Sequence, residues 1–112
     1  GVVSNGFKDL IIKKLEQHNL ENEFDFVVGH DHPAIKPAPD GILYCMKKLG
    51  VFPEETVYVG DMAGDVQAGR NANVKRMIAV SYGFHSSEKL KNEKPCFLVS
   101  SPQEILVAVK EQ

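Results

Sequence analysis

The sequence predicts an α/β fold, a Rossmann-like three-layer αβα arrangement around a mostly parallel sheet, and three observations carry that prediction. Short runs of β-branched and aromatic residues recur along the chain, and several of them stop at a glycine: Gly6, Gly29 and Gly60. Between the runs lie segments of about a dozen residues with apolar positions at helical spacing, which implies right-handed strand–helix–strand crossovers with helices on both faces. Polar and charged residues then collect just after the strand ends, where open α/β sheets bind ligands.

Size and charge narrow the possibilities. A chain of 112 residues with 43% hydrophobic and 25% charged content suits a single globular domain over residues 1–112, able to bury roughly 65% of its unfolded surface. A net charge of −2, a pI near 6.1 and scattered lysines provide no basic field for nucleic acid. No apolar stretch approaches the ~20 residues that span a bilayer, and no basic-then-apolar leader opens the chain. No membrane partner is expected, and the location expected is cytoplasmic. Cys45 and Cys96 sit far apart without a C-x-x-C motif, so both are expected to be buried free thiols in a reducing compartment.

Gly1 to Gly6 opens as a strand that stops at Ser4, Asn5 and Gly6; starting inside a strand suggests that the parent chain continues upstream. Phe7, Leu10, Ile11, Leu15 and His18 form one face of an amphipathic helix, which Asn19 to Glu23 closes. Asp25 to Gly29 is the second strand, and His30 to Pro39 is a loop with three prolines and Lys36. Pro39 starts a helix that packs through Ile42, Leu43, Met46 and Leu49 and ends at Gly50 in a left-handed cap. After the Pro53-Glu54-Glu55 turn, Thr56 to Gly60 is the third strand, and a short helix spans Asp65 to Ala72. Asn73 can take the positive φ of a helix stop, Arg76 to Val80 is the fourth strand, and Ser81 to Lys94 is polar and irregular with one helical turn. Cys96 to Val99 is a last strand, and Ser101 with Glu104 makes a capping box for a terminal helix packing through Ile105, Leu106 and Val109.

The stretch Val59-Gly60-Asp61-Met62-Ala63-Gly64-Asp65 places two carboxylates at a strand end, one helical turn apart. At roughly 6 Å and an effective dielectric near 20 they repel by about 3 kcal/mol, and a helix N-terminus returns only about 0.3–1 kcal/mol. Keeping both ionised requires a cation, either Mg²⁺ or a lysine. The plain alternative is an N-capping aspartate on a solvated turn. Adding Ser4, Asn5 and Lys36 yields a set suited to a phosphate: hydroxyl and backbone donors, a positive charge, and carboxylates for Mg²⁺.

Three segments, Val2-Val3-Ser4-Asn5, Lys36-Pro37-Ala38-Pro39-Asp40 and Val59 to Asp65, resemble the second, third and fourth motifs of the haloacid dehalogenase superfamily, in its phosphoglycolate phosphatase and β-phosphoglucomutase-like branch. The resemblance spans nearly the whole chain. It implies that Ser4 and the Asn5 amide bind the transferring phosphoryl group, that Lys36 bridges that group and the nucleophile, and that Asp61 binds Mg²⁺. Asp65 would hold the same Mg²⁺ site, positioning a metal-bound water or the lysine. The family's first motif, D-x-D-x-T, which supplies the aspartyl nucleophile and the general acid, is not in this chain, and neither is the mobile cap. The implied parent is a Mg²⁺-dependent phosphomonoester hydrolase acting on a small phosphorylated metabolite, with this incomplete core inactive alone. In the family the missing strand lies between those ending at Ser4 and Gly60. The two edges are therefore expected to pair directly, to self-associate by swapping with a second copy, or to leave an open cleft.

The alternative from another class is a non-catalytic module, either a degenerate phosphatase that only binds phosphorylated ligands or a protein-interaction domain using those edges. His30-Asp31-His32 invites a metal reading, but alternating loop residues point different ways and nothing completes a tetrahedral set, so a solvated loop is expected. His18 and His85 are expected at the surface, and Ser4 could also cap the first helix.

Overall fold

The computed structural model describes residues 1–30 and 36–110. Strands β1 (Val2–Val3) and β2 (Val27–Val28) flank helix α1 (Lys8–Gln17), and helix α2 (Asp40–Leu49) follows. Strands β3 (Val57–Gly60), β4 (Arg76–Val80) and β5 (Phe97–Val99) alternate with α3 (Ala63–Asn71) and α4 (Ser87–Asn92), and α5 (Pro102–Lys110) ends the series. Single 3₁₀ turns cover Glu21–Glu23 and Pro53–Glu55.

All the pairing among these strands is parallel, in two small sheets. β1 pairs with β2, Val2 opposite Val27, and β3-β4-β5 form the second sheet, with Tyr58 opposite Met77 and Ala79 opposite Leu98. Within the chain β1 and β3 do not pair directly: among the described residues their facing edges share no ladder, and Val3 and Ser4 line an open cleft with Val59 and Gly60.

β4 shows why the second sheet is sandwiched. Met77 and Ala79 join Val66 of α3 and Leu90 of α4 on one face, whereas Ile78 and Val80 join Val99 and Ala108 of α5 on the other. A strand covered on both faces is apolar at consecutive positions rather than alternating, as Met77 to Val80 is. A third cluster, Ile42 and Met46 of α2 with Ala68 and Ala72 of α3, is joined by Val3 from one sheet and Tyr58 from the other. With no strand ladder across the gap, this cluster links the two sheets through apolar side chains, Val3 on one and Tyr58 on the other. Gly50 caps α2 at φ 71, donating to the Lys47 carbonyl, and Asn73 stops the helix before β4 at φ 58, as their residue types predict.

Several expectations change. The α2 core face is Ile42, Cys45 and Met46, and Leu43 points to solvent. α3 begins two residues earlier than Asp65, because Asp65 turns back to satisfy the backbone N–H groups before it. α5 packs through Ile105 and Ala108, leaving Leu106 and Val109 exposed, since a helix covering a three-stranded sheet buries only a narrow stripe. Its start is capped by Glu104, whose carboxylate accepts from Ser100 N–H and from both the Ser100 and Ser101 hydroxyls. The segment after β4 contains α4, with Ser86 accepting from Lys89 N–H as N-cap, and Leu90 wholly buried. Both cysteines are free, but only Cys45 is buried, where burial pushes its thiol above the ordinary value; Cys96 is exposed beside the β4 backbone. Among the described residues, no helix is long and apolar enough to cross a membrane.

Leu90 supplies the only fully buried side chain of a six-residue helix, so Leu90→Ala is expected to destabilise the fold by about 2–5 kcal/mol in urea titrations. Leu106→Ala, at a residue 63% exposed, is expected to stay within about 0.5 kcal/mol of wild type.

Candidate functional site

The cleft between the sheets has a volume of about 410 Å³, and Ser4, Asn5, Lys36, Asp61 and Asp65 all line it. The sequence places these residues in three segments up to 61 positions apart, and the fold brings them together where the ends of β1 and β3 and the loop after β2 meet.

Asp65 sits at the centre. It is 4% exposed, and its Oδ2 accepts from the backbone N–H groups of Asp61 and Met62, both at 3.1 Å. The Met62 N–H, at the N-cap of α3, is one of the orphan donors that every helix start leaves, and the Asp61 N–H stands just before it. A Cβ on residue 60 would lie 2.4 Å from the Asp65 Cβ and 2.5 Å from Oδ2, so the carboxylate can fold under the strand end only because Gly60 has no side chain. Asp65 Oδ1 takes the Lys36 ammonium at 2.5 Å.

Lys36 arrives from the loop after β2, and its side chain is 12% exposed. Its three ammonium hydrogens meet three acceptors: Asp65 Oδ1, the Val3 carbonyl at 3.2 Å and the Tyr58 hydroxyl at 3.1 Å. Burial opposes the charge, but Tyr58 and Asp65 outweigh it and hold the ammonium above its usual 10.5. Burial also pushes the Tyr58 phenol up from 10.0, so it stays neutral at neutral pH and Asp65 is the anion that matters. The cation required by the Asp61–Asp65 pair is thus present within the chain, as a lysine.

The other three residues occupy distinct places. Asn5 holds the peptide of Lys36: its Oδ1 accepts from Lys36 N–H at 3.1 Å and its Nδ2 donates to the Lys36 carbonyl at 3.4 Å. The Lys36–Pro37 bond beyond it is cis. Ser4 does not cap α1, which starts at Lys8 behind Phe7; its Oγ accepts from Gly6 N–H at 3.0 Å and keeps its own hydrogen for another partner. Asp61 is half-buried, with Oδ2 accepting from Phe84 N–H at 2.9 Å and its carbonyl accepting from His85 N–H at 3.1 Å.

The two carboxylates therefore differ. Asp65 is fully engaged by protein donors, whereas Asp61 retains Oδ1, a hard oxygen of the kind Mg²⁺ prefers. Among the described residues no group of three or more His, Cys, Asp or Glu side chains is placed to hold a metal. The donors fit Mg²⁺ in kind, and the described residues of the cleft supply one free carboxylate oxygen of the roughly six ligands it takes. His30 packs edge-on against Phe7, and Asp31 and His32 lie outside the described residues. His18 is exposed as expected. His85 is not: it is half-buried, and its Nδ1 accepts from Ala63 N–H at 2.9 Å.

Sequence reasoning missed Tyr58 and the Gly83-Phe84-His85 loop. Tyr58 had a signal, a lone hydroxyl in an otherwise aliphatic strand two residues before the turn. The loop had none, since its contacts to Asp61 are made mainly by backbone.

The family of haloacid dehalogenase-like hydrolases matches this chain over residues 1–80. A phosphoglycolate phosphatase of Aquifex aeolicus is 36% identical over 106 residues, covering 94% of this chain and 48% of that protein. Pyrophosphatase PpaX of Listeria welshimeri is 29% identical, covering 100% and 52%. The structure of a predicted phosphatase from Clostridium acetobutylicum superposes with a TM-score of 0.83 at 30% identity, over 93% of this chain and 48% of that one. The chain spans about half the length of these relatives.

Removing one member of the buried pair leaves the other uncompensated, so Lys36→Met is expected to cost about 3 kcal/mol. Lys36→Met combined with Asp65→Asn is expected to recover at least 1 kcal/mol of that in a double-mutant cycle. The alkaline pH dependence follows from three raised values, those of Cys45, Lys36 and Tyr58. The Cys45 thiol contributes first, because the unfolded chain releases its proton above about pH 9 while the folded one keeps it. Lys36 contributes fully below about pH 10.5 and loses its contribution as pH rises through its higher folded value. Tyr58 acts in the same direction, because above about pH 10 the unfolded chain has released a proton that the folded one keeps. Urea midpoints are expected to be flat from neutral pH to about pH 9 and to fall above it, less steeply in the double variant.

Proposed function

Because the chain belongs to the haloacid dehalogenase-like hydrolase family, we propose that it forms the phosphate-recognising part of a Mg²⁺-dependent phosphomonoester hydrolase core. The observation that supports this best is the position of the Lys36 ammonium, held charged by Asp65 in the same cleft that Ser4 and Asp61 line. Such a site has a donor hydroxyl, a fixed cation and one available carboxylate oxygen around a space large enough for a phosphoryl group.

In this reading Ser4 donates its hydrogen to a phosphoryl oxygen, helped by the Asn5 backbone amide, while the Asn5 side chain fixes the Lys36 peptide. Lys36 approaches the same group by exchanging its bond to the Val3 carbonyl or the Tyr58 hydroxyl and keeping Asp65. Asp61 Oδ1 is the carboxylate oxygen for Mg²⁺, and Asp65 acts on the site as the group that positions lysine. Mg²⁺, when bound, would neutralise the remaining charge on the phosphoryl oxygens.

The chain contains no Asp-x-Asp-x-Thr segment, so an aspartyl-phosphate intermediate requires an attacking carboxylate from elsewhere in the whole protein. By itself this chain binds but does not turn over. Relatives named for phosphoglycolate and for pyrophosphate share this core, which fits a cleft that recognises the phosphoryl end of a small metabolite and not the rest of it. Two free thiols fit a reducing cytoplasm. The facing edges of β1 and β3 favour self-association, which sedimentation would reveal as a dimer.

Inorganic phosphate titrated with the chain and Mg²⁺ tests the reading by ³¹P NMR line broadening. Binding is expected in wild type, weaker by about tenfold or more in Lys36→Ala, the loss of one charge-assisted hydrogen bond. Broadening unaffected by Lys36→Ala overturns the site. Mg²⁺-dependent hydrolysis of 4-nitrophenyl phosphate that disappears in Asp61→Asn overturns the absence of turnover.

A further inference from the structure

The loop after β4 folds back over the turn between β3 and α3 and touches it at three points. Phe84 N–H donates to Asp61 Oδ2 at 2.9 Å, His85 N–H donates to the Asp61 carbonyl at 3.1 Å, and His85 Nδ1 accepts from Ala63 N–H at 2.9 Å. The approach is close enough that a Cβ on residue 83 would stand 2.3 Å from both the Asp61 Cβ and Oδ2, so Gly83 is the residue type this contact demands. The Phe84 ring leans on the imidazole, with centroids 4.9 Å apart.

We infer that His85 is a positioning residue for Asp61. Accepting from Ala63 N–H requires a lone pair on Nδ1, so the ring is neutral with its proton on Nε2. That bond pins the loop to the first residue of α3 and so fixes where the Phe84 N–H stands. Phe84 N–H in turn occupies Asp61 Oδ2 and leaves Oδ1 without a protein donor on a residue that lines the cleft. The side-chain torsion of Asp61 is thereby set from a residue 24 positions away, and the aspartate meets a cation through one oxygen rather than two. Without the imidazole, the loop keeps only the backbone bond from His85 N–H to the Asp61 carbonyl, so Phe84 N–H is held less firmly and the carboxylate gains freedom to rotate. The consequence for Mg²⁺ rests on the reading of Asp61 given above, whereas the consequence for Phe84 does not.

Two substitutions separate the role from mere bulk. In His85→Asn the amide oxygen stands close to where Nδ1 was and can still accept, whereas His85→Ala has no acceptor. Amide hydrogen exchange of the uniformly ¹⁵N-labelled chain is expected to show Phe84 N–H protected in wild type and His85→Asn, and at least tenfold faster in His85→Ala. Exchange at Ile78 in the buried β4 strand should be unchanged, which marks the effect as local. Mg²⁺ titration of the same samples is expected to give affinity about tenfold weaker in His85→Ala and within twofold in His85→Asn, the size typical of a residue that orients a ligand. Equal Phe84 protection in all three proteins overturns the inference, as does loss of protection in His85→Asn equal to that in His85→Ala. If wild type binds no Mg²⁺, the metal-facing reading of Asp61 falls, and the Phe84 exchange still decides whether His85 positions it.

Discussion

The arrangement depends on one buried ion pair, Lys36 with Asp65. At 2.5 Å and an effective dielectric near 20 their attraction is about 7 kcal/mol, against a desolvation cost of several kcal/mol for each ion. The two nearly cancel, so the pair contributes little to net stability. Its effect is on position. An ammonium with three acceptors and a carboxylate with three donors have essentially one mutual arrangement that leaves nothing unsatisfied. The acceptors come from β1, β3 and the start of α3, which lie on both sides of the gap. Setting the ammonium therefore sets the spacing between two sheets that share no ladder.

That constraint works because apolar packing stands beneath it. Behind Val3 and Tyr58, which line the cleft, Ile42, Met46, Ala68 and Ala72 form an apolar floor. Hydrophobic contact is non-directional and tolerates sliding; the polar contacts above it do not. The floor supplies the cohesion, the ion pair supplies the register, and Tyr58 takes part in both, its ring in the cluster and its hydroxyl on the ammonium.

The sequence shows which parts of this were legible. Strand and helix order, the caps at Gly50 and Asn73, and the residues gathered at one sheet edge all follow from local rules of period and turn chemistry. So does the need for a cation near two close carboxylates, because that is Coulomb's law applied to sequence spacing. What local rules could not supply is which partner each polar group chooses. Lys36 and Mg²⁺ were equivalent solutions to the charge problem until the fold brought the ammonium to Asp65 and not to Asp61. Likewise Leu43 and Leu106 satisfy helical periodicity and still face solvent, since how wide a stripe a helix buries depends on the width of what it lies on.

The same reasoning explains why the two acidic residues of one motif are not interchangeable. Both stand at the β3–α3 turn, where backbone N–H groups are unpaired and attract a carboxylate. Asp65, one helical turn in, reaches back to those donors and is consumed by them and by Lys36. Asp61, at the strand end itself, takes none of those donors with its carboxylate, and the β4–α4 loop holds it instead through Phe84 N–H. A carboxylate that is fully satisfied fixes geometry, and one with an oxygen left over can act on a ligand. The division of labour thus comes from their positions relative to one helix N-terminus, four residues apart, rather than from any difference in the residues themselves.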